Sequence, residues 1–553
     1  MNKLLFLALV TLFLISCKSN PGTAEVSPAV VWEPYDETAE LKELESNENP
    51  RLRFKLLNSK TLDKNEIWAA FEEDLLGFSE EEYDALSPLI LEKDIPTLQK
   101  SVAEGELSYE DLVLFYLYRI RKYESDNQKT LNAIIALNPE VVEQARRKDK
   151  ERTKGTDVYS LYGMPVLLKD NINTASMPTT AGAIVLAENK TDNAFIVERL
   201  LDEGALILGK VNLSEWAYYF CEDCPLGYSA VGGQTLNPYG RKIFETGGSS
   251  SGSAVAVAAN YAVAAVGTET AGSILSPSSK NSVVGLKPTV GLLSRTGIVP
   301  ISSTLDTPGP ITRTVIDNAI LLQAMTGKDV SDKASVAAGG EYLEAIQNAS
   351  IEGKRVGVMS SLLEDSLYSS AVEELRSLGA TIVEYEAPEV SLEGFLTLLN
   401  MDMKRDLPDY LATHAGEEIS VRSIEDIVRF NREDSLLRAP YGQALFEAIM
   451  EDTTNLEELE LVKTQLQENG RRFFDIPMEA DDMDVVLSID NYHAALAAVA
   501  KYPALAVPMG FAPSGEPKNL TFYARPFEEE LLLQIGSFFE KETQARRAPL
   551  DYN

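Results

Sequence analysis

One stretch of the chain, from Gly247 to Pro310, constrains the fold most, because it is rich in small residues. It contains two turns of serine, threonine and glycine, at residues 247–252 and 268–273, with no charged residue between them. An uncharged run of this length is expected in the interior of a domain. There the two turns can bring two hydroxyl groups to one pocket, so the sequence favours a buried nucleophile.

A hydroxyl nucleophile needs a base, and this stretch does not supply an obvious one. The whole chain has only two histidines, His414 and His493. His414 lies in a polar segment and is predicted to be exposed. His493 precedes a predicted helix, where a packing role is favoured over a place at the border of the pocket.

The composition predicts a soluble globular protein with a large core. The chain has 553 residues, of which 44% are hydrophobic, ample for extensive burial. Its formal net charge is −35 at pH 7. Nucleic-acid-binding proteins need a basic surface that displaces counterions from phosphates, so no RNA or DNA partner is expected.

The N-terminus has the pattern of an export signal. Lys3 precedes an apolar run, residues 4–15, which is short for a bilayer span but suits a secretory signal. The following Ser16-Cys17 completes a segment that resembles the lipobox of bacterial lipoproteins. We therefore predict a signal peptide over residues 1–16 and lipid attachment at Cys17. The mature protein is then exported and anchored to the bacterial cell envelope, as a periplasmic or outer-membrane lipoprotein; a plain signal peptide and an uncleaved anchor are the alternatives.

Residues 17–92 are predicted to form an acidic tether followed by a helical appendage. The part up to Pro50 is rich in proline, glutamate and serine, as in extended linkers. Beyond it, four apolar residues fall on one helical face. They are Ile67, Trp68, Phe71 and Leu75.

Residues 93–553 are predicted to form a single α/β domain. Ser108 and Asp111 have capping-box spacing, which predicts the start of a helix. Short apolar runs then alternate with helical stretches, and this pattern predicts a mixed sheet covered by helices on both faces. The runs predicted as strands are 133–137, 164–168, 205–208, 262–266, 356–359, 485–487 and 505–507.

Two further cysteines, Cys221 and Cys224, lie in an acidic loop that ends at Pro225. A redox CxxC motif is expected to open a helix, which this segment does not. Two sulfurs are also too few for a zinc site. A small disulfide that tightens the loop and a pair of free thiols both remain open, and no metal is expected.

One possible arrangement of catalytic groups is a nucleophile elbow. Residues 248–252 match G-x-S-x-G, and His493 follows in the chain order of α/β-hydrolases. The serine of an elbow lies between a strand and a helix, whereas the preceding residues 239–246 are polar and charged. The sequence therefore disfavours this arrangement.

A lysine can replace histidine as the base of a serine hydrolase, provided that burial lowers its pKa. Lys169 ends a predicted buried strand, and Lys280 and Lys287 are alternatives on pattern alone. The simplest interpretation of Lys169 is different: it extends from a strand end into solvent or pairs with Asp170. The sequence pattern alone does not decide which of these lysines is the base.

Several motifs together resemble the amidase signature family, and the similarity extends from about residue 95 to the C-terminus. They are KDN at 169–171, GGSSSGS at 247–253, GTETAGS at 267–273, VVGLKPT at 283–289 and LDTPGP at 305–310. The resemblance implies the family's Ser-Ser-Lys triad at Lys169, Ser249 and Ser273, with Ser249 beside a cis peptide bond.

The resemblance also implies a mechanism. Ser273 attacks an amide carbonyl, Ser249 relays its proton, and neutral Lys169 accepts it. Water then releases the acyl group from the enzyme, without a metal or cofactor. Backbone N–H groups form the oxyanion hole, and they belong to Thr270, Ala271, Gly272 and Ser273.

The form GTETAGS is similar to the branch of the family that includes peptide amidases and bacterial and plant amidases. The methyl group of Ala271 is expected to narrow the acyl pocket slightly. Lys280 stands where an uncharged residue is more usual, so it either meets an anionic substrate group or is simply solvated. Residues 485–508 lack the longer loop that we associate with peptide amidases. A small amide or a peptide amide is the predicted substrate.

Three functions follow from these features. The first is an exported, lipid-anchored amidohydrolase that releases ammonia or an amine. The second is a glutaminase-type subunit of a tRNA-dependent amidotransferase, which export and the acidic surface disfavour. The third is a lipoprotein that keeps the fold as a binding module without turnover.

Overall fold

A computed structural model describes residues 31–152, 157–347 and 349–553. The predicted signal peptide and Cys17 therefore lie outside the described residues. None of the helices in the described ranges combines the length and the apolar content that crossing a bilayer requires.

The centre of the molecule is a mixed sheet of 11 strands, in the order β1-β3-β2-β6-β8-β7-β12-β13-β11-β9-β10. A separate two-stranded ribbon pairs β4 with β5. The strands are β1 (Ile134–Leu137), β2 (Pro165–Lys169), β3 (Leu206–Val211), β4 (Tyr228–Ser229), β5 (Gly233–Gln234), β6 (Ala264–Glu269), β7 (Val284–Lys287), β8 (Thr307–Thr312), β9 (Arg355–Met359), β10 (Thr381–Tyr385), β11 (Val485–Ile489), β12 (Ala504–Phe511) and β13 (Pro517–Tyr523).

Helices pack on both faces of this sheet, as the sequence predicted. The helix expected after Ser108 begins at Tyr109, and its capping box is formed with Asp111. The helices are α1 (Thr38–Leu44), α2 (Lys64–Trp68), α3 (Glu72–Leu76), α4 (Glu80–Ile90), α5 (Ile95–Glu104), α6 (Tyr109–Glu124), α7 (Val141–Glu151), α8 (Phe195–Asp202), α9 (Ser251–Ala258), α10 (Leu275–Lys280), α11 (Val315–Met325), α12 (Tyr342–Gln347), α13 (Ser366–Ser377), α14 (Phe395–Thr413), α15 (Ile424–Glu433), α16 (Ser435–Arg438), α17 (Ala444–Glu451), α18 (Leu456–Ala480), α19 (Ala494–Ala500) and α20 (Glu529–Thr543).

All seven runs predicted as strands are strands in the structure. Of the strands that the sequence did not predict, β8 has the sequence TPGPIT, in which proline and glycine hide the strand pattern. The outer strand β10 carries exposed and half-buried side chains, so it lacks the apolar run that marks a central strand.

The structure differs from the tether prediction over residues 31–50. Trp32 is buried, and its indole N–H donates to Oδ1 of Asn127 at 2.8 Å. The buried Glu37 accepts the backbone N–H of Asn58 at 3.0 Å. Proline and glutamate suggested a linker, but these contacts fix the segment against the domain. The apolar face predicted at residues 67–75 is buried in the same core.

A helical insertion, defined here as α14 to α17 (residues 395–451), follows β10 and has a hydrophobic core of its own. This core also includes residues from loops of the sheet domain, such as Trp216, Ile301 and Leu305. The ring of Trp216 lies 5.4 Å from that of Phe446 in the insertion. The insertion thus packs against the loops that surround the two small-residue turns.

Candidate active site

Lys169 ends β2, between β3 and β6 in the sheet. The side chain of Lys169 is fully buried. Nζ lies 2.7 Å from Oγ of Ser249, 2.8 Å from Oγ1 of Thr268 and 3.1 Å from the Thr268 carbonyl oxygen. Because β2 and β6 are parallel neighbours, both end at the same edge of the sheet, and this brings Lys169 and Thr268 together.

Burial lowers the pKa of Lys169 from 10.5 to about 7, because a charged ammonium group loses its hydration there. The negative charges of Asp306 and Glu269 act in the opposite direction. No carboxylate of the described residues forms an ion pair with this lysine. At neutral pH a substantial fraction of Lys169 is therefore a neutral amine, able to accept a proton.

Asp170 does not pair with Lys169. It lies 3.0 Å from Nζ of Lys210, which is also fully buried, and it accepts the backbone N–H of Thr180 at 3.1 Å. Asp170 follows the last residue of β2, and its side chain faces Lys210, whereas that of Lys169 faces Ser249. The interpretation of Lys169 as a surface lysine or as the partner of Asp170 is therefore wrong.

Ser249 is buried, and the peptide bond that joins it to Gly248 is cis. This agrees with what the family resemblance implied. Its carbonyl oxygen accepts the N–H of Ser214 at 3.0 Å. The backbone is thereby fixed with the Ser249 hydroxyl against Lys169.

The nucleophile elbow is not formed. Ser250, at the centre of the G-x-S-x-G match, donates its hydroxyl to the Thr268 carbonyl at 3.0 Å and is fully buried. The preceding residues 235–249 contain no strand. Ser250 instead joins the two turns, since its N–H also donates to the Ser273 carbonyl at 3.1 Å.

Ser273 lies in the second turn and is partly exposed, whereas Ser249 is not. Within the described chain its hydroxyl forms no hydrogen bond. The backbone N–H groups of the four consecutive residues from Thr270 to Ser273 also form no hydrogen bond with any described residue. Gly272 has φ of +97°, a left-handed conformation that favours glycine. The turn thus presents one hydroxyl and four N–H groups without partners.

Glu269, the last residue of β6, fixes this turn from beneath. Its buried carboxylate accepts the N–H groups of Ile274 at 2.7 Å and Leu275 at 2.9 Å. Thr270 is held from the other side, where its hydroxyl donates to Oδ1 of Asp306 at 2.6 Å. Burial raises the pKa of Asp306 to about 6.

Sequence reasoning assigned no role to Thr268, Glu269 or Asp306, although all three lie in the motifs GTETAGS and LDTPGP. These residues were visible in the sequence as parts of the two motifs, but only the folded structure shows what each side chain contacts. A small cavity beside Thr268 and Thr270 was also not foreseen. Its wall includes Ala217 and Ile301.

The two other candidate lysines are engaged elsewhere. Lys280 is half-buried and pairs with Glu516 at 2.6 Å, so a carboxylate of the chain itself already occupies the position that an anionic substrate group would take. Lys287 is fully buried and donates to the carbonyls of Tyr502 at 2.8 Å and Pro288 at 3.1 Å. Neither contacts a serine of the two turns.

Both histidines have contacts of a structural kind. His493 Nδ1 lies 2.6 Å from Oγ of Ser488, and its ring stacks on Phe473. Burial lowers the pKa of His493 to about 4. His414 is half-buried rather than exposed as predicted, because it caps α14 beside the ring of Tyr410.

Cys221 and Cys224 form a disulfide, the first of the two states that the sequence left open. The loop that contains them is anchored to the helical insertion, where the Phe220 carbonyl accepts the N–H of Leu445 at 3.2 Å. Ala217, at the start of this loop, lines the small cavity beside Thr270.

Comparisons with known proteins agree with this geometry. The sequence model of the family Amidase matches residues 111–533. A probable amidase of Arabidopsis thaliana is 36% identical over 479 residues, which cover 83% of this chain and 92% of the relative. A glutamyl-tRNA(Gln) amidotransferase subunit of Pediococcus pentosaceus is 30% identical over 492 residues, covering 81% and 96%.

Solved structures give the same result. An amidase family protein from Bacillus anthracis superposes with a TM-score of 0.84 at 37% identity, over 89% of this chain and 99% of that one. The peptide amidase of Stenotrophomonas maltophilia superposes with a TM-score of 0.78 at 38% identity, over 83% and 98%. The chain belongs to the amidase family and is an amide-hydrolysing enzyme.

Proposed function

We propose that this enzyme hydrolyses small amides or peptide amides through a Ser-Ser-Lys triad of Ser273, Ser249 and Lys169. The contact of 2.7 Å between Nζ of Lys169 and Oγ of Ser249 carries the proposal. A buried lysine with a pKa near 7 can accept a proton from a hydroxyl in this position. The partly exposed Ser273 is the nucleophile, because it is the serine that a substrate can reach.

The reaction begins when Ser273 Oγ attacks the amide carbonyl and its proton passes through Ser249 to Lys169. The Ser273 hydroxyl has no hydrogen bond in the described chain, and such catalytic contacts often tighten only when substrate is bound. Lys169 then returns the proton through Ser249 to the leaving nitrogen, and ammonia or an amine departs. Water attacks the acyl-enzyme by the same proton route and releases the acid.

Backbone N–H groups of Thr270, Ala271, Gly272 and Ser273 stabilise the oxyanion. They are the N–H groups without partners in the described chain, and the turn that bears them is held by Glu269 and by Asp306. Donors fixed in advance stabilise developing charge without reorganisation. Loss of one such donor in other enzymes costs roughly 10²- to 10³-fold in kcat.

A peptide amide is favoured as substrate by the likeness to the peptide amidase of Stenotrophomonas maltophilia. A small cavity with Ala217 and Ile301 in its wall lies beside Thr270, on one side of the turn. The helical insertion packs against the loops beside this cavity, where Trp216 contacts Phe446.

The direct experiment measures ammonia release from a panel of amides and peptide amides by the purified chain. Ser273→Ala and Lys169→Ala should each abolish release, whereas Lys280→Ala, which removes a lysine paired with Glu516, should retain it. Retention of activity by Lys169→Ala, or its loss only in His493→Ala, would contradict the lysine mechanism.

The glutaminase-type subunit remains the alternative, because a protein of this kind from Pediococcus pentosaceus is similar over most of its length. The two functions differ in their requirement for partners. Under the proposal the purified chain hydrolyses amides alone. Hydrolysis of glutamine only in the presence of partner subunits would favour the alternative. Failure of a fluorophosphonate probe to label Ser273 would instead favour a binding protein without turnover.

The proposal includes export and a lipid anchor at Cys17. It is supported by the apolar N-terminal run that precedes this cysteine and by the disulfide of Cys221 and Cys224, since disulfides persist in oxidising compartments. Labelling of bacterial cells with a palmitate analogue tests it. Wild-type protein should carry the label in the envelope fraction, and Cys17→Ser should not.

A further inference from the structure

An asparagine that the proposed mechanism does not use lies against the turn of the nucleophile. A Cβ atom built on Gly272 would come within 3.0 Å of Nδ2 of Asn491 and 3.4 Å of Cβ of Ala494. A side chain at residue 272 would therefore press on the Asn491 carboxamide, which would have to shift by a few tenths of an ångström. This carboxamide borders the turn whose N–H groups are proposed to hold the oxyanion.

The loop that carries Asn491, between β11 and α19, is fixed by contacts of its own. The buried Asp490 accepts the N–H of Asn519 at 2.9 Å and pairs with Lys518, also at 2.9 Å. The Asn491 carbonyl accepts the N–H of Ala494 at 3.1 Å. These contacts hold the backbone on both sides of Asn491, and its carboxamide lies beside the turn of Ser273.

The Asn491 side chain itself forms no hydrogen bond with any of the described residues, although it is partly buried. The side chain is partly exposed, so an incoming molecule can reach it. A carboxamide offers both donors and an acceptor, and this one lies beside the turn that carries the unpartnered N–H groups of residues 270–273. It can therefore contact a molecule that approaches Ser273.

Charge indicates what kind of partner this is. The one carboxylate next in sequence, Asp490, is neutralised by Lys518, and Lys280 is neutralised by Glu516. A neutral carboxamide suits a neutral group that has both a donor and an acceptor. The peptide group has this combination.

We infer that Asn491 determines substrate specificity by binding a peptide group on the acyl side of the substrate, next to the scissile amide. The inference rests on the proposed function and concerns primary amides, from which ammonia leaves after Ser273 attacks. Ammonia offers no further groups for recognition, so selectivity has to come from the acyl side. The preferred substrates are then amides of N-acylated amino acids and peptides, over amides of simple acids.

The test compares two amides that differ in a single group. N-acetylphenylalanine amide carries an acetamido group on the carbon next to the reacting carbonyl, and 3-phenylpropanamide lacks it. We measure kcat and KM on both with wild type, Asn491→Ala and Asn491→Asp. As a matched control we use Asn193→Ala, which changes an asparagine beside a different cleft.

In Asn491→Ala the preference for the acetamido substrate should fall by roughly fivefold to tenfold, the size expected for one neutral hydrogen bond. The change should lie mainly in KM, with activity on 3-phenylpropanamide unchanged. Asn491→Asp should show at least the same loss, because it removes the donor. The unfolding temperature of Asn491→Ala should match that of wild type, since no internal hydrogen bond is lost.

An equal fall in kcat on both amides would overturn the inference, because Asn491 would then act on the reacting carbonyl. Unchanged kinetics on both would overturn it too. These outcomes leave the proposed mechanism intact, since Asn491→Ala retains the triad. No turnover of any amide by wild type would overturn the proposed function and this inference with it.

Discussion

Two fully buried lysines lie on neighbouring parallel strands, yet their surroundings give them different chemistry. Lys210 on β3 is 3.0 Å from Asp170 and also donates to the Ile172 carbonyl and the Thr179 hydroxyl. Lys169 on β2 contacts hydroxyl and carbonyl oxygens without an ion pair to any described carboxylate.

The difference shows that burial alone does not make a base. Burial lowers the pKa of both lysines, but at Lys210 the carboxylate of Asp170, 3.0 Å away, opposes the change. At Lys169 only more distant charges oppose it, and its pKa falls to about 7. Two neighbouring residues therefore have separate roles: Lys169 is the candidate base, and Asp170 is the partner of a structural lysine.

The largest expected effect comes from removing the proposed base. In Lys169→Ala, kcat/KM should fall by about 10³-fold or more, because general-base catalysis typically contributes about 10²- to 10⁴-fold. Lys169→Arg should be equally impaired, since a guanidinium group stays protonated. Steady-state kinetics on the best amide measures both, and activity within about tenfold of wild type in Lys169→Arg would contradict the comparison.

Removing the other lysine should affect stability instead. Lys210→Met leaves Asp170 buried without its ion pair, which typically costs about 3–5 kcal/mol. The double variant Lys210→Met with Asp170→Asn should recover a large part of this loss. Denaturant unfolding measures the free energies. If the single variant kept wild-type stability but lost activity when folded, the two lysines would not have the separate roles assigned here.

Loss of Lys169 should have the opposite effect on stability. The pKa of this lysine is 10.5 in the reference state and about 7 in the fold, so the unfolded chain binds more protons between these values. Stability of the wild type therefore increases with pH across this window. Lys169→Met should be more stable than wild type at pH 7, and its advantage should shrink towards pH 10.5; a Met variant that is less stable at pH 7 would contradict this.

The smallest expected effect is a shift of the pH profile. The charge of Glu269 raises the pKa of Lys169, and one oxygen of its carboxylate has no hydrogen bond among the described residues that the substitution would break. Glu269→Gln keeps an acceptor for the N–H groups of Ile274 and Leu275 while it removes the charge. The acidic limb of kcat/KM should then move to lower pH by less than about one unit, with the plateau retained. A shift to higher pH would be the contrary result.

Much of the fold followed from the sequence, because buried strands have apolar runs that can be read locally. Strands such as β8, with its prolines, were missed because their place depends on pairing with β6 and β7. The helical insertion was missed for a related reason. Its helices contain no catalytic motif, and their role becomes clear only from where they pack.

The candidate site, like the fold, was predicted from the sequence only in part. The triad residues were assigned by resemblance, and the structure brings Lys169 and Ser249 into contact. Pattern alone could not separate Lys169 from Lys287, since both end short apolar strands. Nor could it indicate Asn491, which is 218 positions from Ser273 in the chain and meets its turn only through the fold.

The central claim is that Lys169, as a neutral amine, is the base of this enzyme. The most direct test is the pH dependence of kcat/KM in a variant without histidine, His414→Asn with His493→Gln. Because the free enzyme's catalytic groups govern this profile, activity should fall as the pH decreases through about 7, as in wild type. Loss of this acidic limb on removal of the histidines would contradict the claim.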